Sequence, residues 1–197
     1  MFKILHISDI HCQYSYLEYI LEYAESENFN LIVVSGDLEC DFVAEALANA
    51  KTRIYAVPGN LDDSYIVDLM DEYGINIKGE IVKAENYYII GYSSDIHEKI
   101  ELEKPDMSKT IVIAHYPPYG TKTDIAYNGA HIGKKYLRRF IEKYQPLLLL
   151  CGHVHESRGV DEIGKTKIVN PGPLAEGYYA TIILPDLHIE LRKIEGI

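Results

Sequence analysis

The hydrophobic pattern of this chain alternates between short continuous apolar runs and longer stretches with helical spacing. Residues 2–7 form an apolar run of strand length, and the run at residues 31–37 ends abruptly in Gly-Asp. Between them, residues 13–27 carry apolar side chains on one helical face. This strand–helix–strand pattern predicts a βαβ unit in which the first two strands are parallel neighbours.

The remainder of the chain continues the same alternation. Helices are predicted over residues 42–49, 64–73 and 133–144, and buried strands over residues 53–57, 110–114 and 146–151. Residues 76–92 and 167–194 carry short β segments with no helix between them, which predicts antiparallel pairing. Residues 95–109 are polar and are expected to be irregular, and the segment 120–129 is predicted to be a long loop at a substrate rim.

Two details of the helices follow from their sequences. Ser64 is expected to be the N-cap of its helix, because a hydroxyl can accept a hydrogen bond from the first turn. The helix at residues 133–144 is expected to turn four apolar or aromatic residues inward. These four are Tyr136, Leu137, Phe140 and Ile141.

Composition and charge set limits on the kind of protein. The 197 residues suit one domain spanning residues 1–197, and 47% hydrophobic with 25% charged residues is typical of a globular protein. No apolar run approaches the length of a membrane span, so we expect a cytoplasmic protein without a membrane partner. A formal net charge of −11 disfavours broad nucleic-acid binding. A homo-oligomer remains compatible with the sequence.

The three cysteines, Cys12, Cys40 and Cys151, are too few for a disulfide framework and have no Cys-x-x-Cys spacing. We expect them to be small buried residues. The alternative is that they are thiols near a site, because each lies within a few residues of a candidate ligand.

Polar residues of metal-ligand type follow five of the predicted strands. The carboxyl ends of parallel strands meet at one edge of a sheet, where open α/β folds bind ligands. A mixture of carboxylate, amide and imidazole groups suits zinc, iron or manganese better than calcium. Burying the two histidines of the Gly-His-x-His segment without partners would be costly. The candidate ligands are Asp9, His11, Asp37, Asn60, His115, His153 and His155.

The other histidines have simpler explanations. His6 lies within a strand and is expected to be a core residue, His97 is expected in a solvated loop, and His188 on a wet strand face. His131 precedes a helix, where it either caps the helix or lies at the surface, or instead contacts a substrate.

The ordered set Asp9-x-His11, Gly36-Asp37, Gly59-Asn60, His115 and Gly152-His153-x-His155 resembles the calcineurin-like metallophosphoesterase superfamily, most of all its small single-domain prokaryotic members. The resemblance implies a four-layer αββα sandwich of two mixed β-sheets flanked by helices. It also implies two divalent transition-metal ions (Mn, Fe, Zn or Ni, with Mn favoured) at one edge of the fold.

The resemblance assigns each candidate ligand a role. Asp9, His11 and His155 would hold the first metal, Asn60, His115 and His153 the second, and Asp37 would bridge them. Asp37, Asn60 and His115 are the expected catalytic residues. The implied reaction is hydrolysis of a phosphorylated small molecule by a metal-bridging hydroxide, with phosphodiesters slightly preferred over phosphomonoesters.

The chain departs from the family at Leu61, where many members carry a histidine that serves as a candidate general acid. Asp62, Asp63 or His131 would then supply a proton to the leaving group, or none does. Arg158 is expected either to contact substrate or to lie at the surface. The rival hypothesis is a non-catalytic protein-interaction scaffold with the same fold, which some superfamily members have become. The complete ligand set favours the enzyme.

Overall fold

A computed structural model describes residues 1–195, and the last two residues of the predicted domain 1–197 lie outside the described part. The chain forms two β-sheets and five α-helices in this range. The strands are β1 (Phe2–Ile7), β2 (Leu31–Val34), β3 (Ile54–Ala56), β4 (Ile81–Ala84), β5 (Tyr87–Gly91), β6 (Thr110–Ile113), β7 (Leu148–Leu150), β8 (Gly159–Ile163), β9 (Thr166–Asn170), β10 (Tyr178–Leu184) and β11 (His188–Lys193). The α-helices are α1 (Tyr14–Ser26), α2 (Asp41–Ala48), α3 (Ser64–Glu72), α4 (Ile96–Glu103) and α5 (Lys135–Tyr144).

Both sheets are mixed. The five-stranded sheet has the order β11-β10-β1-β2-β3, and the six-stranded sheet has the order β4-β5-β6-β7-β9-β8. β1, β2 and β3 run parallel, which confirms the predicted βαβ unit. β5, β6, β7 and β9 run parallel in the second sheet.

Three apolar layers hold the fold together. Alternate residues of β2 show the arrangement: Leu31 and Val33 pack between the two sheets, whereas Ile32 and Val34 pack against the helices outside. α1, α2 and α3 cover the first sheet, and α4 and α5 cover the second. Helix, sheet, sheet and helix therefore form four layers, and the predicted αββα sandwich is confirmed. Among the described helices, none combines the length and the apolar character needed to cross a membrane.

The structure corrects the prediction for residues 95–109. They contain α4 and a 3₁₀ turn at Met107–Lys109. His97 is half-buried on α4 and packs against the rings of Phe140 and Tyr144, so it does not lie in a solvated loop. Only Ile96 and Ile100 of α4 are buried. Two apolar residues form too narrow a stripe to predict a helix from the hydrophobic pattern.

Three further expectations were wrong in part. The C-terminal β region is not all antiparallel, because β9 pairs in parallel with β7 and the unpredicted β8 completes the sheet edge. Tyr136 is 46% exposed and stacks on Tyr92, whereas Leu137, Phe140 and Ile141 are buried as predicted. The N-cap of α3 is Asp63, whose carboxylate accepts a hydrogen bond from the backbone N–H of Ile66 at 3.0 Å.

The cysteines divide into two kinds. Cys151 is buried, as expected, but Cys12 and Cys40 are half-buried and form a disulfide. The bond joins the loop after β1 to the loop after β2, which neighbour each other because those strands are adjacent and parallel. No local spacing signals this pair, since the two cysteines are 28 residues apart and meet only because β1 and β2 are neighbours.

Candidate metal centre

The candidate ligands converge where parallel strands of both sheets end. β1 is followed by Asp9 and His11, β2 by Asp37 and β3 by Asn60. In the facing sheet, β6 is followed by His115, and β7 by His153 and His155. Hydrogen bonds hold adjacent loops in register: Asp9 N–H donates to the Gly36 carbonyl at 3.0 Å, and Gly152 N–H donates to the His115 carbonyl at 2.9 Å.

Asp9, His11 and His155 form what we call the first side of the centre. Their ligand atoms lie within 4.8 Å of one another. The Nε2 atoms of His11 and His155 are 3.2 Å apart, and Asp9 Oδ1 lies 3.3 Å from His155 Nε2. Glu39 accepts a hydrogen bond from His11 Nδ1 at 2.7 Å, which leaves the Nε2 lone pair of His11 facing the other ligands.

Asn60, His115 and His153 form the second side. His115 donates its Nδ1 proton to the Ser35 carbonyl at 2.7 Å. Its Nε2 lone pair then faces Asn60 Oδ1 at 2.9 Å and His153 Nδ1 at 3.2 Å. Three atoms that carry lone pairs thus point at one another.

Asp37 lies between the two sides, and Asp9 of the first side also contacts residues of the second. Asp37 Oδ2 is 3.5 Å from His115 Nε2, while its Oδ1 accepts a hydrogen bond from the Leu61 backbone N–H at 2.9 Å. Asp9 Oδ2 accepts one from the His153 backbone N–H at 3.0 Å. Asp9, Asp37 and His115 present ligand atoms within 4.8 Å of one another, and all three residues are buried.

The ligand loops adopt unusual backbone conformations. Asp9, His11, Asp37 and His153 all have positive φ, between 47° and 69°. Non-glycine residues adopt this left-handed region infrequently, and such residues concentrate at functional sites. The loops after β1, β2 and β7 therefore turn sharply at these ligand residues.

Two glycines allow the close approach of these loops. Gly36 has a φ of +98°, and a Cβ atom there would lie 2.5 Å from His115 Nδ1. A Cβ atom on Gly152 would overlap the side chains of Ser8 and Asp9. Any larger residue at either position would displace a ligand.

Burial and neighbouring charges shift the pKa values of several ligand residues in the centre. Burial raises the pKa of Asp37, and the carboxylates of Asp9 and Asp62 add to that effect. Burial opposes the charge on Asp9, yet the neighbouring His155 and His115 rings and Ser8 hold its pKa below the usual value. Burial, followed by the His115 charge, lowers the pKa of His153 to about 4. Contact with Asp9 raises the pKa of His155.

The donor set fits divalent transition metals. Asp9 Oδ1 is buried and accepts no hydrogen bond from any described residue, which is unfavourable for a carboxylate oxygen unless a cation neutralises it. The lone pairs that face one another on both sides repel each other, and a bound cation would remove that repulsion. Imidazole, carboxylate and amide donors together suit Mn, Fe, Zn or Ni.

Each of the four predicted substrate contacts has hydrogen-bond partners within the protein. Asp62 accepts hydrogen bonds from the backbone amides of Asp37, Leu38, Glu39 and Gly59, at 2.7 to 3.0 Å. Its carboxylate therefore ties the loop after β3 to the loop after β2. Asp63 caps α3, as described above.

The other two predicted contacts have partners of their own. His131 Nδ1 is 2.6 Å from the buried carboxylate of Asp124, on the loop that precedes α5. Arg158 donates to the Pro171 carbonyl at 3.0 Å and packs over the Tyr178 ring. Leu61, at the position of the missing histidine, is 54% exposed.

Sequence reasoning missed Glu39 and Asp62 as supports of the centre. Glu39 orients His11, which lies 28 residues earlier in the chain, so no local spacing signals its role. Asp62 carries no such signal either, since its role depends on backbone amides contributed by another loop.

The chain is similar in sequence to known proteins. The model of the calcineurin-like phosphoesterase family matches residues 2–157. An uncharacterized protein of Methanocaldococcus jannaschii is 29% identical over 188 residues, which covers 81% of this chain and 86% of that protein.

Solved structures share the fold. An archaeal phosphodiesterase is 18% identical with a TM-score of 0.67, over 98% of this chain and 99% of that one. A dimetal phosphatase from Danio rerio is 12% identical with a TM-score of 0.69, over 98% of this chain and 95% of that one. At these identities the structures establish the architecture alone. Because the family model spans most of the sequence and all seven candidate ligands, the chain belongs to the calcineurin-like phosphoesterase family.

Proposed function

We propose that this chain is a dinuclear metal-dependent phosphoesterase that hydrolyses small phosphodiesters in preference to phosphomonoesters. Manganese is the favoured metal, and iron, zinc or nickel are the alternatives that the donor set accepts. The archaeal phosphodiesterase and the dimetal phosphatase that share the fold support this reaction class.

One observation carries the proposal. Seven side chains of ligand type converge from five strand ends, and among them the buried Asp9 Oδ1 has no hydrogen-bond partner in the described residues. A scaffold protein has no need to maintain such an arrangement, which is unfavourable without cations.

The chain's own residues prepare the centre in three ways. Glu39 and the Ser35 carbonyl fix the tautomers of His11 and His115, so that each presents Nε2 as the ligand atom. Asp37 places one carboxylate between the two sides. When bound, two divalent cations would clamp the phosphoryl oxygens and acidify the water that attacks phosphorus.

Among the described residues, the candidate proton donors for the leaving group have other hydrogen-bond partners, as Asp63 does at the N-cap of α3. Leu61 replaces the family histidine, the Asp62 carboxylate is filled by four backbone amides, and His131 is paired with Asp124. General acid help is typically worth roughly 10²–10⁴-fold in rate. We therefore expect substrates with acidic leaving groups to react fastest.

The test is hydrolysis of bis(p-nitrophenyl) phosphate before and after exhaustive chelation, with Mn²⁺ added back. Activity should disappear on chelation and return with the metal. Asn60→Ala should remain inactive with excess Mn²⁺, whereas the matched control His188→Ala, on the exposed face of β11, should behave as the wild type. A chain that binds two metals yet hydrolyses no ester would instead support the scaffold hypothesis.

A further inference from the structure

A cleft of about 630 Å³ opens beside the second side of the centre. Asn60 and His115 belong to its wall, so it is continuous with the candidate metal ligands. Tyr92, Tyr116 and Tyr136 also line it. We call this space the aromatic cleft.

The aromatic wall is rigid where it meets the core. The rings of Tyr92 and Tyr136 are nearly parallel, with centroids 5.8 Å apart and an interplanar angle of 10°. Tyr92 also packs edge-on against the buried ring of Phe140 at 5.2 Å. Tyr136 is 46% exposed, so it offers ring surface to a ligand. Flat, fixed aromatic surface of this kind favours stacking of another planar ring.

The cleft also carries one positively charged side chain in a strongly acidic protein. Lys78 is exposed at its edge. The carboxylate of Glu80, two residues away, is already paired with Lys99. The Lys78 ammonium group is therefore available to an anionic ligand. The chain as a whole has a net charge of −11 and repels large polyanions.

We propose that the aromatic cleft binds a planar aromatic ring system on one ester group of the substrate, while the phosphoryl group lies at the candidate metal ligands. This inference rests on the proposed function and specifies its substrate class: small phosphodiesters that carry one aromatic group of nucleoside size. The volume agrees, because clefts of roughly 300–1,000 Å³ hold ligands of this size. The ring comes either from a nucleoside or from a simple aryl alcohol.

The test is calorimetric binding to the Mn²⁺-supplemented protein of three phosphonates whose P–C bonds resist hydrolysis. They are methylphosphonate, phenylphosphonate and the phosphonate analogue of adenosine 5′-monophosphate. Stacking of one ring on tyrosine is expected to make the aromatic ligands bind about tenfold tighter than methylphosphonate. The tighter of the two aromatic ligands identifies the source of the ring.

Tyr136→Leu is the informative variant, because its side chain is half exposed and its removal leaves the core intact. The variant should bind the aromatic ligands with nearly the same affinity as methylphosphonate, and its affinity for methylphosphonate should be unchanged. Tyr127→Leu, at a position that is 90% exposed and outside the cleft, should retain the full preference. Tyr92→Leu should repeat the Tyr136→Leu result if the fold is intact by circular dichroism.

Equal binding of methyl and aromatic phosphonates by the wild type would overturn this inference, as would a preference that survives both tyrosine substitutions. These failures are separate from failure of the proposed function. A protein that hydrolyses esters without aromatic preference loses only the cleft assignment, and a protein that binds aromatic phosphonates but hydrolyses nothing loses only the activity.

Discussion

The two sides of the candidate centre are built from similar ligands but supported differently. On the first side, the His11 and His155 side chains are 21% and 36% exposed, and His11 is oriented by the side chain of Glu39. On the second side, the His115 side chain is 3% exposed and is oriented by the backbone carbonyl of Ser35. A disulfide adjoins the first side, because Cys12 follows His11 and Cys40 follows Glu39.

This difference predicts that two bound metals would be held with unequal affinity. A ligand oriented by a core carbonyl cannot lose its partner through a side-chain change, so the orientation of His115 on the second side depends on no other side chain. A ligand oriented by a half-exposed carboxylate depends on one replaceable residue. We therefore expect the first side to be the more sensitive to substitution, reduction and pH.

The largest effect is expected at Asp37, which the two sides share. Asp37→Asn removes the negative charge between them, so both metals should be lost together and activity should fall by roughly 10³-fold, as when a key electrostatic group is removed. Elemental analysis of the purified variant measures the two occupancies. Retention of two metals at full occupancy would show that Asp37 is not the bridge.

Removing one histidine should separate the two sides. His11→Ala should deplete only the first side, and His153→Ala only the second, leaving one metal per chain in each variant. Elemental analysis combined with the electron paramagnetic resonance spectrum of Mn²⁺ distinguishes one isolated ion from a coupled pair. Loss of both metals in either variant would contradict the division into sides.

Glu39→Gln should weaken the first side without altering the second. Loss of a ligand-orienting carboxylate typically costs about 10–100-fold in metal affinity. Isothermal titration with Mn²⁺ should show one weakened and one unchanged binding step. Glu103→Gln, an exposed position at the end of α4, is the matched control and should leave both steps unchanged.

Reduction of the disulfide should loosen the first side's supporting loops. In the metal-free protein, closing a loop of this size is expected to contribute about 2–4 kcal/mol to the free energy of unfolding. Urea unfolding with and without a phosphine reductant measures the difference. Cys12→Ser is the control, since it should unfold alike in both conditions. A wild type that is indifferent to the reductant would contradict the disulfide.

The smallest effect is spectroscopic and concerns the two histidines of the Gly-His-x-His segment. The pKa of His155 is raised by Asp9, whereas burial and His115 lower the pKa of His153 to about 4. As the pH falls, the His155 ring should therefore take up its proton at a higher pH than an ordinary imidazole, and the His153 ring only near pH 4. An NMR titration of the metal-free protein checks the order, and the reverse order would refute this account of the two environments.

The sequence was sufficient for the parts that depend on local pattern and strand direction. β1 was predicted with its observed bounds, and the seven candidate ligands could be proposed because the carboxyl ends of parallel strands meet at one edge, while their role as ligands stays a prediction. The Cys12–Cys40 disulfide, the clamp formed by Asp62 and the aromatic cleft were not predicted. Each depends on which residues of distant segments face one another, and that is set by strand register and loop conformation.

The measurement that tests the central claim most directly is anomalous diffraction from crystals grown with Mn²⁺. The account predicts two peaks flanking Asp37, one coordinated by Asp9, His11 and His155 and the other by Asn60, His115 and His153. A single peak, or two peaks that do not share Asp37, would contradict it.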